Sequence, residues 1–229
     1  MTQNPLPKHP DLSHVRHVRA PVPLYFPDFI EVPESSTHLG IRTFLSGVLR
    51  FTLGDGHSVH SGRFVYWNPR NPKCCVAPDV LVRLDQPQGD FRSWKTWECG
   101  GVPQLAVEII RSNDFEWLDW DQRLERYHEL GVQELVCFDP EKPEGARLRV
   151  WDLIEEDLVE REIENDTTPC ATLQLTWVVA PIPGAPFGLR LVDLDGNLVP
   201  SELEAKAKAL EAAEARVREL EELLRQKGG

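Results

Sequence analysis

Two short apolar runs, each carrying one carboxylate, constrain the fold of this chain more than any other feature. The first starts at Pro78-Asp79 and continues Val80-Leu-Val-Arg83-Leu84; the second is Gln104-Leu-Ala-Val-Glu108-Ile-Ile110. Both have the length and the β-branched content of strands. In the second run Leu105, Val107 and Ile109 alternate with Ala106, Glu108 and Ile110, so Glu108 is expected to face away from its three large neighbours. An ionised side chain inside an apolar strand is costly unless something compensates it. Two compensations are open on the residues alone. Asp79 can cap a turn after Pro78 while Glu108 pairs with an arginine such as Arg111 or Arg123. Alternatively, the two carboxylates sit on neighbouring strands and share a divalent cation, which relieves their repulsion.

The segment that follows bears on this choice. Asp119, Arg123 and Tyr127 recur at four-residue steps and share one face of a helix. Leu118, Leu124, Tyr127, His128 and Leu130 give that helix an apolar side, and Gly131 ends it as a C′ glycine. A strand, Glu134-Leu-Val-Cys-Phe138, comes next and closes at Asp139-Pro140. The order strand, loop, strand, helix, strand makes the helix a crossover beside the carboxylate strands.

These residues carry a resemblance. Pro78-Asp79, Glu108-Ile-Ile and the run Arg123-x-x-x-Tyr127-x-x-x-Gly131-Val132 ending in Phe138-Asp139-Pro140 resemble the Uma-two type of restriction endonucleases, within the PD-(D/E)xK nuclease superfamily. The likeness spans about Pro33 to Trp151. It implies an α/β (α+β) fold with a restriction-endonuclease-like core, a mixed central sheet flanked by helices. It also implies an Mg²⁺-dependent endonuclease acting on DNA, with Mn²⁺ as a possible substitute. By position, Asp79 and Glu108 would be metal ligands and the backbone carbonyl of Ile110 a third. Glu34 on the first helix would be a further acidic ligand, and His38, one turn on, a water-positioning group. Arg123 falls where the family places a lysine on the helix, and Asp119 would orient it. The chain departs from the pattern at that arginine and at Arg111, where the family tends to have serine. Arginine keeps the charge but is a poor base with different geometry. A nuclease-fold binding or assembly module with weakened chemistry is therefore the alternative. A Cys/His hydrolase built on Cys99 with His38 or His128 is a third reading, without a nucleophile signature around Cys99.

The 229 residues suit one domain with an appendage: an irregular arm over 1–29, the domain over 30–198 and a helix over 199–229. A net charge of −12 opposes strong sequence-blind DNA binding, though Arg42, Arg63, Arg70, Lys73, Arg111, Arg123 and Arg126 could supply a local basic groove. Five cysteines without a Cys-x-x-Cys pair, and no secretion signal, suggest a reducing cytoplasm. No apolar run is long enough to span a membrane.

The rest of the chain is expected to be scaffold. A helix opens near Pro33-Glu34-Ser35-Ser36 and runs to about Gly54, with Ile41, Leu45, Val48 and Leu49 as its core stripe. Read without the resemblance, Glu34 and His38 are simply its exposed first turn. Residues 57–67 read as one strand. Residues 85–103 read as a long loop whose Trp94 and Trp97 either pin it to the core or stack on bases. Strands at 147–151, 158–163, 172–180 and 189–194 read as sheet extension. From Ser201 to Lys227, Leu203, Leu210, Val217 and Leu224 recur every seven residues among Glu, Lys, Arg and Ala. That pattern predicts a short coiled coil and a homo-oligomer, a dimer by preference.

Overall fold

Ser35 starts the first helix, its hydroxyl accepting a hydrogen bond from the His38 backbone N–H at 3.1 Å. The helix, α1, spans Ser36–Leu53 and stops at Gly54, whose φ of 67° is left-handed and whose N–H reaches back to the Arg50 carbonyl. Ile41, Leu45, Val48 and Leu49 are its buried stripe, as their spacing requires. The computed structural model describes residues 24–28, 35–110 and 120–227. After α1 come β1 (Ser58–Ser61), β2 (Val65–Tyr66), β3 (Cys75–Val76), β4 (Val80–Arg83), β5 (Trp94–Lys95) and β6 (Leu105–Ile109). Then follow α2 (Trp120–Leu130), β7 (Glu134–Phe138), β8 (Leu148–Ile154), β9 (Asp157–Glu160), β10 (Thr167–Cys170), β11 (Leu175–Ile182), β12 (Ala185–Val192) and α3 (Glu202–Lys227).

The main sheet has six strands in the order β1-β4-β6-β7-β8-β9. It is mixed: β6 and β7 run parallel and the other neighbours antiparallel. The parallel pair needs a crossover, and α2 supplies it. Alternation along β6 then divides the interior in two. Leu105, Val107 and Ile109 join Val80, Val82, Val136 and Phe138 on the face covered by α1 and a second sheet. Ala106 joins Leu81, Leu135 and Cys137 on the opposite face, under Tyr127 and Leu130 of α2. The turn of Glu108 away from its large neighbours, expected from sequence, is what the sheet requires.

Three sequence expectations need correction. Residues 57–67 are two strands, because the chain turns at Gly62, where φ is 58°. The long loop contains β5, which pairs parallel with β2 in a small sheet β3-β2-β5. Trp94 is 1% exposed and pins that loop to the core, while Trp97 is 39% exposed and meets Phe26 edge-on. Of the predicted extension strands, only β8 and β9 extend the main sheet. The chain then folds back as a separate antiparallel sheet, β10-β11-β12, whose Trp177, Leu189 and Leu191 pack on the α1 side.

Buried polar groups hold this second sheet in place. Glu134 is 1% exposed and accepts from the Trp177 indole at 3.2 Å and the Thr172 N–H at 2.8 Å, with Arg161 at 3.5 Å. Asp166 accepts from the backbone N–H groups of Gly145, Arg147 and Leu148. These acids serve the fold by satisfying donors that water cannot reach.

Candidate active site

The register of β4 on β6 places the carboxylates. Val80, the first residue of β4, pairs with Val107, so Asp79 just before β4 and Glu108 just after Val107 both lie at this end of the strand pair. On the other flank Gly62 donates its N–H to the Asp79 carbonyl at 3.1 Å. Gly62 has a left-handed φ of 58°, which any side chain would strain. Asp79 is 8% and Glu108 5% exposed, so both carboxylates are largely out of water.

Each carboxylate is held by two donors. Asp79 Oδ1 lies 2.7 Å from His38 Nε2, and Asp79 Oδ2 accepts from the Ile109 N–H at 2.7 Å. An acceptor on that side places the proton of His38 on Nε2, as assigned from its partner. Glu108 Oε2 accepts from Arg123 Nη1 at 2.9 Å, and Oε1 from the Tyr127 hydroxyl at 2.5 Å. Arg123 and Tyr127 are one turn apart on α2, so the helix delivers both donors to one acid. Gly131, φ 78°, ends α2 by donating to the Tyr127 and His128 carbonyls. Burial, then the adjacent Glu108 carboxylate, pushes the Tyr127 phenol well above its usual range, so it is a donor at any neutral pH. Cys137, paired with Glu108 across β6–β7, has its thiol pushed up by burial first and then by Glu108.

The sequence candidates are thus partly brought together. His38 is bonded to Asp79 and Arg123 to Glu108, two hydrogen-bonded pairs at the same end of β4 and β6. Ile110, next after β6, donates its N–H to the Phe138 carbonyl and so sits at the end of the ladder. Glu34, Arg111 and Asp119 lie outside the described residues. A residue of this neighbourhood whose role sequence reasoning missed is Tyr127, although its four-residue step from Arg123 was the available signal. His38 also lines a cleft of about 170 Å³ with Ile41, Ile109, Pro140 and Phe187; Asp79, Glu108 and Arg123 do not line it. Arg63 and Arg126 are engaged by backbone carbonyls, Arg63 by Arg92 and Arg126 by Lys73 and Cys75. They brace loops. Cys99 is buried beside Trp94 with its thiol pushed up by burial, and His38 is turned to Asp79, so these two do not form a Cys/His pair.

The donor set can be tested against a hard cation. Among the described residues no group of three or more His, Cys, Asp and Glu side chains is arranged to hold a metal. Mg²⁺ does not need one: it commonly binds through one or two carboxylates and keeps several waters. Two buried carboxylates at the same end of β4 and β6 are the oxygen donor type that Mg²⁺ or Mn²⁺ takes. Arg123 is the competing cation, since it already faces one oxygen of Glu108.

No curated protein matches the sequence. The fold is similar to a crystal structure titled "a putative nuclease belonging to DUF820", from Anabaena variabilis, at 12% identity and a TM-score of 0.45, over 64% of this chain and 82% of that one. No helix among the described residues is long and apolar enough to cross a membrane. The family model Uma2, described as "Putative restriction endonuclease", matches residues 28–189, which takes in the main sheet, α2, Asp79 and Glu108. The chain belongs to the Uma2 family.

Proposed function

We propose that this chain is an Mg²⁺-dependent endonuclease that hydrolyses DNA phosphodiester bonds, with Mn²⁺ able to substitute. The observation that supports the proposal is that Asp79 and Glu108, both largely buried at the same end of β4 and β6, are each held by hydrogen-bond donors. Asp79, Glu108 and the Ile110 carbonyl would hold the metal, with Glu34 joining directly or through water. When bound, Mg²⁺ neutralises charge on the scissile phosphate and lowers the pKa of coordinated water.

The protein's own groups do the positioning. Ile109 N–H and His38 fix both oxygens of Asp79, and Tyr127 locks the rotamer of Glu108 from a fully buried hydroxyl. Arg123, with a side chain 20% exposed, keeps contact with solvent while its guanidinium rests on Glu108. It would meet negative charge developing on phosphate. His38 reaches the cleft and would position water there. Asp119, a turn before Arg123, would orient it. A net charge of −12 keeps non-specific DNA affinity low and sensitive to salt.

One observation favours a second reading. Arg123 already neutralises Glu108, and arginine is never a base at neutral pH. On that reading the chain is a nuclease-fold assembly module. Plasmid nicking in Mg²⁺ or Mn²⁺ separates the two, comparing the natural chain with Asp79→Asn, Glu108→Gln and Arg123→Lys. The endonuclease reading expects nicking that is lost in the first two variants and kept in the third. Equal nicking by all four proteins would remove these residues from the chemistry, and no nicking by any would favour the assembly module.

A further inference from the structure

Among the described residues, helix α3 is held to the domain at its start. The Ser201 hydroxyl accepts from the Glu204 N–H and the Glu204 carboxylate accepts from the Ser201 N–H, a capping box. Arg190 of β12 grips the same carboxylate at 3.0 and 2.9 Å. Past that turn the helix continues to Lys227 with no buried residue. Leu210 is 61%, Val217 54%, Leu220 44% and Leu224 71% exposed, an apolar stripe that soluble surfaces rarely leave uncovered.

The stripe carries enough pattern to name its occupant. With Leu203, Leu210, Val217 and Leu224 at heptad position a, position d holds Ala213 and Leu220 in the middle and Lys206 and Lys227 at the ends. Val217 at a and Leu220 at d make the one heptad with the combination that favours two strands; the other a residues are leucine. The flanks choose the direction. Position e holds Ala207, Glu214 and Glu221, and position g holds Ala209, Arg216 and Leu223. In a parallel pair, g faces the e position of the following heptad, so each Arg216 meets the partner's Glu221. In a fully overlapped antiparallel pair, e faces e and g faces g, so Glu214 and Arg216 each face their own copy and Glu221 faces Ala207. Arg216 rests on Glu219, at position c of its own helix, at 2.5 Å.

We propose that α3 pairs in parallel with α3 of a second copy of this chain, forming a two-stranded coiled coil that sets both sheet domains at the same end. The pairing is separate from the nuclease reading and stands or falls without it. Sedimentation of the full chain over a concentration series reaching high micromolar should give twice the 26.1 kDa chain mass. Leu220→Lys, at an exposed position, should return it to one chain while leaving the domain's thermal transition in place. Leu224→Cys, in a chain with Cys74 and Cys75 changed to serine, tests direction: parallel helices bring the two introduced thiols together, and oxidation should give a linked dimer. A single-chain mass at every concentration overturns the proposal, as does a dimer indifferent to Leu220→Lys. A dimer that Leu224→Cys fails to link overturns the parallel arrangement.

Discussion

Arg123→Met tests whether Glu108 is kept as a buried charge. Arg123 Nη1 sits 2.9 Å from Glu108 Oε2, and the side chains are 20% and 7% exposed. Removing one partner of a buried pair costs about 3–5 kcal/mol, because the remaining charge loses its compensation. The partial exposure of Arg123 and the retained Tyr127 hydroxyl set the expectation at the low end, about 3 kcal/mol. Methionine keeps most of the aliphatic stem, so lost packing contributes little. For a domain of this size that cost lowers the melting temperature by about 6–12 °C. Urea titrations in a chelator should show the midpoint fall at unchanged slope. Arg149→Met is the control: its partner Glu160 is as exposed as Arg149 itself, 44% each, so the loss there should stay under about 1 kcal/mol. Adding Mn²⁺ should restore much of the deficit of Arg123→Met, because a ligand at about a hundred times its dissociation constant stabilises by roughly 2.7 kcal/mol. If Arg123→Met costs no more than the surface control, Glu108 does not depend on the guanidinium and the site's electrostatic reasoning fails.

Tyr127→Phe removes a fully buried donor to a carboxylate and should cost about 2 kcal/mol at pH 7 in chemical denaturation. The folded state raises the Tyr127 pKa above its ordinary 10.0, so this contribution is complete below pH 10 and is lost as the pH rises further. The natural chain should therefore converge on the variant in alkali, and a gap that widens there would contradict the assignment. His60 is shifted the other way, from 6.5 to about 4, chiefly by burial and then by Arg50 and Arg63. Below pH 6.5 the unfolded chain takes up a proton that the folded one refuses, so stability is lost as the pH falls from 6.5 towards 4. The loss is up to about 3 kcal/mol, and His60→Gln should lack that part of the acid slope in urea melts.

Much of the site was legible in local periodicity. The side on which Glu108 emerges follows from alternation along β6, and the face shared by Arg123 and Tyr127 follows from helical spacing. Neither pattern reports a long-range partner. That Tyr127 donates to Glu108, or that His38 crosses from α1 to Asp79, depends on the packing of elements distant in sequence. The break at Gly62 was hidden because the alternation on its two sides reads as continuous until the left-handed φ is known. The second sheet escaped for a related reason. β10 reads Thr-Thr-Pro-Cys, with a proline that weakens a strand reading, yet its Cys170 is buried against β11 by tertiary packing. Glu134 looked like the polar start of a strand; only the fold shows it buried and satisfied by Trp177 and Thr172.

The central claim is that Asp79 and Glu108 together form a cation site. Calorimetric titration of Mn²⁺ into the full chain measures this without DNA and without turnover. One ion per chain should bind, and Asp79→Asn and Glu108→Gln, which keep side-chain shape, should each abolish the binding while the thermal transition persists. Heat of binding that survives in both variants, or none in the natural chain, would contradict it.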